Sequence, residues 1–311
     1  MTPEKMLNIG IIGMSPGNAH PYSWSSIING QYDHQRMADA GYPAVGDYLR
    51  ANRDTLGIPG AKISHVWTQD TQISRDIALH SGIPGVVDSL EEMVGQVDAV
   101  ILGRDDPESH VKMAHPFLEA GIPIFIDKPL AFTRKDLDYF EQQHASGRFL
   151  MSCSSMRYSG ECRSLKSELG GLGPLHLVTA VGKKDWKKYG VHLVEALFSS
   201  LDDPQPQWVQ HLGERHQSVV LIGFEGGLKA TIQVFQDICG TFQLSFFGSE
   251  GWRLVEIKNS YAMFRENMSE FIRSVEEGSP RLDFAKTRSI IQTVIAAQES
   301  YEKDGKVISL R

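Results

Sequence analysis

Two architectures follow one another in this sequence. The first is an α/β domain with a Rossmann-type parallel sheet over residues 1–153, and the second an α+β domain over 154–311 with a large, mostly antiparallel sheet covered by helices on one face. Three observations predict this. In the first half, short apolar and β-branched runs alternate with helical periodicity, as strands joined by crossover helices do. After Leu175 the runs come in hairpin order, separated by the turn clusters Glu225-Gly226-Gly227 and Gly248-Ser249-Glu250-Gly251. With 311 residues, 41% hydrophobic and 22% charged, the chain can bury cores for two domains.

In order, the expected parallel strands are Ile9–Ile12, Ile63–Trp67, Ala99–Leu102, Ile124–Ile126 and Leu150–Ser152. Helices are predicted at Ile73–Ser81, Leu90–Val94, Ser109–Ala120 and Arg134–Ala145, with Gly121 as a left-handed C-cap of the third. The second sheet is expected from Leu175–Val181, Ser218–Phe224, Leu228–Phe235, Thr241–Phe247 and Trp252–Glu256. Amphipathic helices at Ala262–Glu277 and Phe284–Tyr301 and a last strand at Lys306–Leu310 complete it. The segment 31–60 is longer than a simple βαβ connection needs and reads as an insertion with a short helix, more a surface cap than a wall of the cleft.

The formal charge of −7 comes with no dense basic run interleaved with aromatics, which speaks against nucleic acid as a partner. Residues Met1 to Asn8 lead into a strand without a signal-like apolar stretch, and no run is long enough to span a bilayer, so a cytoplasmic location without membrane attachment is expected. Cys153, Cys162 and Cys239 are scattered and odd in number, and read as reduced thiols.

The most informative segment is Ile122-Pro-Ile-Phe-Ile-Asp-Lys-Pro-Leu-Ala131, where a buried-strand run stops at an acid, a lysine and a proline. Ligand sites of open α/β sheets form at such strand ends. Lys128 is thus either a solvated strand-end charge or a proton donor and acceptor at the mouth of a crevice.

Several motifs in order resemble the glucose-fructose oxidoreductase and inositol dehydrogenase (Gfo/Idh/MocA) family over nearly the whole chain. They are Val97-Asp-Ala-Val-Ile-Leu102, His110, Leu118-Glu-Ala-Gly121 and Asp127-Lys-Pro-Leu-Ala131. Gly190-Val-His192-Leu-Val-Glu195 follows, then Ala296–Ser300 and Asp304–Val307. The resemblance implies an oxidoreductase that holds NAD or NADP at the strand ends of the first domain. It also implies a sugar, sugar acid or polyol bound near Lys128 as acid–base and His192 in support. The cofactor-binding positions it implies are Gly13, Met14, Ser15, Gly17, Thr68, Asp105, Asp127 and Lys128.

Four departures from the family pattern bear on activity. The family's glutamate before the lysine is Asp127, and the first turn, Gly13-Met-Ser-Pro-Gly-Asn18, is not G-x-G-x-x-G. Pro16 has no N–H, while Ser15 and Asn18 offer side-chain donors; a plain turn packed under Trp24 would read the same. Thr68 stands where relatives often carry the ribose-binding acid, with Asp70 two residues late, so NAD and NADP are both open. Asp105 and Asp106 stand at a strand end beside the cofactor: they repel phosphate, pair with Arg104, point away or bind ligand hydroxyls. A metal held with His110 or His20 lacks any established ligand spacing. Lys188 occupies the position four before His192 where dehydrogenating relatives often have aspartate. The run Lys183–Lys188 is either a solvated loop or a positive wall for an anionic substrate, with Trp186 or Tyr189 stacking on a ring and Arg157 clamping a carboxylate. A non-redox member or a binding protein with a degenerate dinucleotide site is the alternative. An open antiparallel face predicts a homodimer or homotetramer.

Overall fold

The computed structural model describes residues 6–310. The chain divides into two compact units that are not contiguous in sequence. One comprises Met1–Leu130, Tyr139–Ser152 and Phe264–Leu282, the other Ala131–Asp138, Cys153–Met263 and Asp283–Arg311. The single boundary expected between residues 153 and 154 is therefore crossed by two excursions, at 131–138 and 264–282.

The first unit is built on β1 (Leu7–Ile12), β2 (Ala61–Trp67), β3 (Gly85–Val86), β4 (Ala99–Leu102), β5 (Ile124–Ile126) and β6 (Leu150–Met151), all parallel, in the order β3-β2-β1-β4-β5-β6. The strands of its centre carry long apolar runs because both faces are covered: Ile9, Ile11, Ile12, Ile101, Leu102 and Phe125 are fully buried. Its helices are α1 (His20–Asn29), α2 (His34–Asp39), α3 (Pro43–Ala51), α4 (Thr71–Ser81), α5 (His110–Glu119) and most of α6 (Arg134–Ala145). Helix α1 carries Pro21 in its first turn and stops at left-handed Gly30. Asp70 caps α4 by accepting from the N–H groups of Gln72 and Ile73. Gly121 has the left-handed φ expected of it, 71°. The helix expected at Leu90–Val94 is only a 3₁₀ turn, Glu91–Met93, too short to continue once Gly95 follows with φ 85°.

The second unit contains β7 (Leu175–Lys183), β8 (Pro206–His211), β9 (Gln217–Phe224), β10 (Lys229–Phe235), β11 (Phe242–Gly248), β12 (Trp252–Glu256) and β13 (Ile308–Ser309), ordered β12-β11-β7-β10-β9-β8-β13. Among the described strands of this sheet only β7 and β10 pair in parallel. Helices α7 (Gly160–Lys166), α8 (Val191–Ser200), α9 (Ser260–Glu277, its first turn) and α10 (Phe284–Glu302) belong here. One sheet face is core: Val178, Ala180, Ile232, Val220, Leu244 and Phe246 are fully buried. The opposite face alternates with it and is half-exposed, in rows such as Lys229–Leu177–Phe247–Trp252 and Gln233–Val181–Gln243. Cys153 and Cys162 are buried and Cys239 exposed, all as free thiols. No helix is long and apolar enough to cross a membrane among the described residues.

Candidate functional site

The reversal of strand order lies between β1 and β4, and the parallel ladder continues one residue past the strands. Gly13 N–H reaches Trp67 O at 2.9 Å, Gly103 N–H reaches Ile12 O at 2.7 Å, and Asp127 N–H reaches Leu102 O at 2.9 Å. Gly13, Gly103 and Asp127 are thereby brought to one edge, at the crevice where ligands of such sheets bind. Gly13 is required there by space: a Cβ would stand 2.6 Å from the Pro21 ring.

Around this edge lies a nearly closed polar network. Lys128, 5% exposed, points its ammonium to within 3.8 Å of Asp105 Oδ2. The hydroxyl of Ser15 donates to Asp105 Oδ1 at 2.5 Å and accepts from the Asp105 N–H at 3.1 Å. Arg104 grips Asp106 through two parallel bonds of 2.8 and 2.7 Å and also donates to Met14 O and Gln69 Oε1. The amide of Gln69 closes on Met14 from both sides, accepting its N–H and donating to its carbonyl. Asp127 accepts from Asn18 Nδ2 at 3.1 Å, from the Lys128 N–H at 2.7 Å, and meets His20 Nδ1 at 2.5 Å. His110, fully buried, sets its two ring nitrogens 3.0 Å from the carbonyls of Arg104 and Leu130, tying the loop after β4 to the chain that leaves Lys128. Burial holds its imidazole below the ordinary value, against those two carbonyls.

These bonds decide which expected cofactor positions keep a group to offer. The side chains of Ser15 and Asn18, expected as phosphate donors, are turned to Asp105 and Asp127. Pro16 and Pro21 have no N–H. The N–H groups of Met14, Asn18 and His20 go to Gln69, Ser15 O and Asn18 Oδ1. Those of Ser15, Gly17 and Ala19 have no partner among the described residues. Gly17 is exposed at φ 77°, with nothing within 4 Å of where its Cβ would stand. Three N–H groups on an open left-handed turn before a helix fit a pyrophosphate, with fewer donors than a full glycine fingerprint provides. Thr68 fits a ribose less well: its hydroxyl donates to Asp70 O at 2.5 Å and lies 2.9 Å from Ser74 Oγ. Asp70 is a helix cap.

Sequence reasoning missed Gln69 and His20 as a partner of Asp127. The insertion 31–60 forms two helices, α2 and α3, and a 3₁₀ turn rather than one short helix. Tyr42, just before α3, has its ring 5.9 Å from that of Tyr22 in α1. Burial raises its phenol, and the Asp105 carboxylate raises it further.

In the second unit, His192 sits in the first turn of α8, directly after a π-helical turn, Trp186–Gly190. Such turns recur at functional sites. Gly190 allows the Trp186 ring to lie against the backbone, since a Cβ would come within 2.6 Å of it. Trp186 itself is buried and donates its indole N–H to Val294 O, so it is core rather than an exposed stacking platform. His192 Nδ1 lies 2.7 Å from Ser154 Oγ, and its ring packs 5.4 Å from Tyr189, which stacks on Phe242. The Lys184 ammonium covers the Tyr189 ring at 4.4 Å, and Lys187 lies over Phe132. Lys188 is half-buried, its N–H held by Asp185. Arg157 is not placed as a substrate clamp: its fork is taken up by Asp203, at 3.1 and 2.6 Å, and its Nε by Glu195. Lys286 adds a second cation to Asp203 at 2.9 Å. Burial raises the Glu195 carboxyl, opposed by Arg157 and the Ser154 N–H. No cluster of three or more His, Cys, Asp or Glu suited to a metal occurs among the described residues.

A parallel sheet with the Rossmann strand order, an incomplete anion turn and a lysine at the end of β5 defines a dinucleotide-type α/β domain joined to a mixed-sheet domain. Residues 7–145 match the family model described as "Oxidoreductase family, NAD-binding Rossmann fold" (GFO_IDH_MocA). Comparison with curated proteins gives no match. Solved structures resemble the whole chain in fold at low identity. A probable dehydrogenase from Thermotoga maritima is 14% identical with a TM-score of 0.77, covering 98% of this chain and 99% of its own. A myo-inositol 2-dehydrogenase from Lactobacillus plantarum is 16% identical with a TM-score of 0.77, covering 99% and 100%. A scyllo-inositol dehydrogenase from Lactobacillus casei with bound NAD(H) and scyllo-inositol is 13% identical with a TM-score of 0.76, covering 98% and 99%.

Proposed function

We propose that this protein is an NAD(P)-dependent oxidoreductase acting on a CH–OH group of a polyol, sugar or sugar acid, with Lys128 as its acid–base residue. The observation that carries the reading is the near-buried Lys128 ammonium beside Asp105 at the topological switch point. The NAD-binding family description and the inositol dehydrogenases of like fold support it.

Oxidising a secondary alcohol removes a hydride from carbon and a proton from oxygen. A bound nicotinamide supplies the hydride acceptor. Lys128 as free amine takes the hydroxyl proton, and Asp105 stabilises the ammonium that results. The N–H groups of Ser15, Gly17 and Ala19 hold the pyrophosphate. Within the second unit, His192 is oriented by Ser154 and flanked by Tyr189, with Lys188 nearby in sequence. Without an acid at Thr68, the ribose end favours neither NAD nor NADP. The open face of the second sheet pairs with a second copy, giving a homodimer or homotetramer.

One observation favours a second reading. Prolines or internal bonds remove several N–H donors from the first turn, which suits a member whose dinucleotide site has decayed and whose chemistry is non-redox, or one that only binds a ligand. Calorimetric titration with NAD(H) and NADP(H), together with a search for retained dinucleotide in denatured protein, separates the two. Binding of either supports the oxidoreductase; none at millimolar concentration supports the second reading. Where turnover with a polyol is found, Lys128→Met is expected to lower it about 10²- to 10⁴-fold with dinucleotide affinity kept. Full activity in that variant removes Lys128 from the mechanism.

A further inference from the structure

We infer that His20 and Asp127 form a second acid–base couple of the strand-end site: Asp127 fixes the imidazole through Nδ1, and Nε2 accepts, by way of Lys128, the proton that leaves a ligand hydroxyl. This rests on the oxidoreductase reading for its chemistry and on geometry for its parts.

Asp127 is 1% exposed and is surrounded by N–H donors, from Asn18, the Lys128 backbone and His20. It acts as acceptor throughout, so the hydrogen of the 2.5 Å bond belongs to Nδ1 of His20. A neutral imidazole with Nδ1–H carries its lone pair on Nε2. The ring is clamped as well as oriented. It stacks on Trp24 at 4.3 Å and 13°, and meets the edge of Phe264 at 5.2 Å. Its own N–H is capped by Asn18 Oδ1 at 2.9 Å, the same side chain that bonds Asp127. His20 nonetheless keeps 16% of its side chain exposed, and nothing among the described residues bonds Nε2.

The charged groups at this edge are Asp127, Lys128, Asp105 and the Arg104–Asp106 pair, and Lys128 shares a backbone bond with the carboxylate that holds His20. In the step assigned to the couple, the substrate O–H bond breaks as the N–H bond to Lys128 forms, and the proton then passes from the Lys128 ammonium to Nε2 of His20. The O–H electron pair becomes the C=O bond as hydride leaves the same carbon for an oxidised nicotinamide. The imidazolium that results faces Asp127, and its Nε2 proton passes to water. A pairing of this kind orients the imidazole and balances its charge.

Two-bond ¹H–¹⁵N NMR of histidine-labelled protein at neutral pH tests the first part without any substrate. An Nδ1–H tautomer is expected for His20, assigned by its loss in His20→Gln, and Asp127→Asn is expected to weaken it. An Nε2–H tautomer overturns the proposal. The second part is tested by turnover of NAD⁺ and NADP⁺ with myo-inositol and scyllo-inositol in His20→Asn, whose amide keeps a donor toward Asp127 and lacks Nε2. Turnover is expected to fall about 100-fold, with KM and melting temperature little changed and partial rescue by added imidazole. Full turnover, or a loss that imidazole does not rescue and that follows the melting temperature, overturns it. A wild-type chain that neither binds nor reduces a dinucleotide sinks the oxidoreductase reading alone. The couple is then judged by the tautomer: Nδ1–H that depends on Asp127 sustains it, and Nε2–H overturns it.

Discussion

His80 is a fully buried histidine in α4 whose Nδ1 accepts the Asp33 N–H at 3.1 Å while its Nε2 finds no partner among the described residues. Burial pushes its imidazole down from 6.5 to about 4. The folded chain thus takes up this proton only at lower pH than the unfolded chain. The stability it contributes is complete above 6.5 and is lost as pH falls from there toward 4, by about 3 kcal/mol at most. Melting temperatures at neutral pH and near pH 5 are expected to differ less in His80→Gln than in the wild type, because other buried histidines remain. An equal difference would show that His80 does not titrate in this window. Single residues were unevenly legible in the sequence. Lys128 stood out because a β-branched run stops at it. The bond from His20 to Asp127 joins residues 107 apart, and the Gln69 clasp on Met14 spans 55; neither leaves a local trace.

Helix α8 is fixed from below by a buried ionic cluster in which Arg157 serves two carboxylates, Glu195 and Asp203. Replacing Arg157 by Met strands Glu195 without its cation and leaves Asp203 only Lys286. Urea unfolding is expected to show a loss of about 3–5 kcal/mol. A change under about 1 kcal/mol would mean that the cluster contributes no more than a surface pair does. Elements with strong periodicity, such as α6, β4, β5 and β12, were readable to the residue. Strand β8 was not: it begins at Pro206, and Gln207 and Gln210 dilute its alternation between Trp208 and Val209. The parallel pairing of β7 with β10 also escaped, since runs that look like hairpins carry no record of which non-adjacent strand they join.

The outward face of the second sheet carries a row from Leu177 through Phe247 to Trp252, the last 60% exposed, beside Leu254 at 52%. In the homo-oligomer proposed above, this apolar strip is the surface that a second copy would cover. Leu177→Lys is expected to shift the protein to monomers in multi-angle light scattering, and a wild type that is monomeric at every concentration would remove the interface. The two-domain plan and the lysine-bearing strand end were both evident in the sequence; the discontinuity of the units was not, because it depends on where the late segment 264–282 packs. That segment brings Phe271 to within 5.7 Å of the Phe125 ring and Phe264 against Trp24, so the aromatic core under the first sheet is incomplete until it arrives. During synthesis the ribosome must therefore deliver nearly the entire polypeptide before its earliest-made portion can finish folding. A fragment ending near residue 153 is a poor candidate for expression on its own.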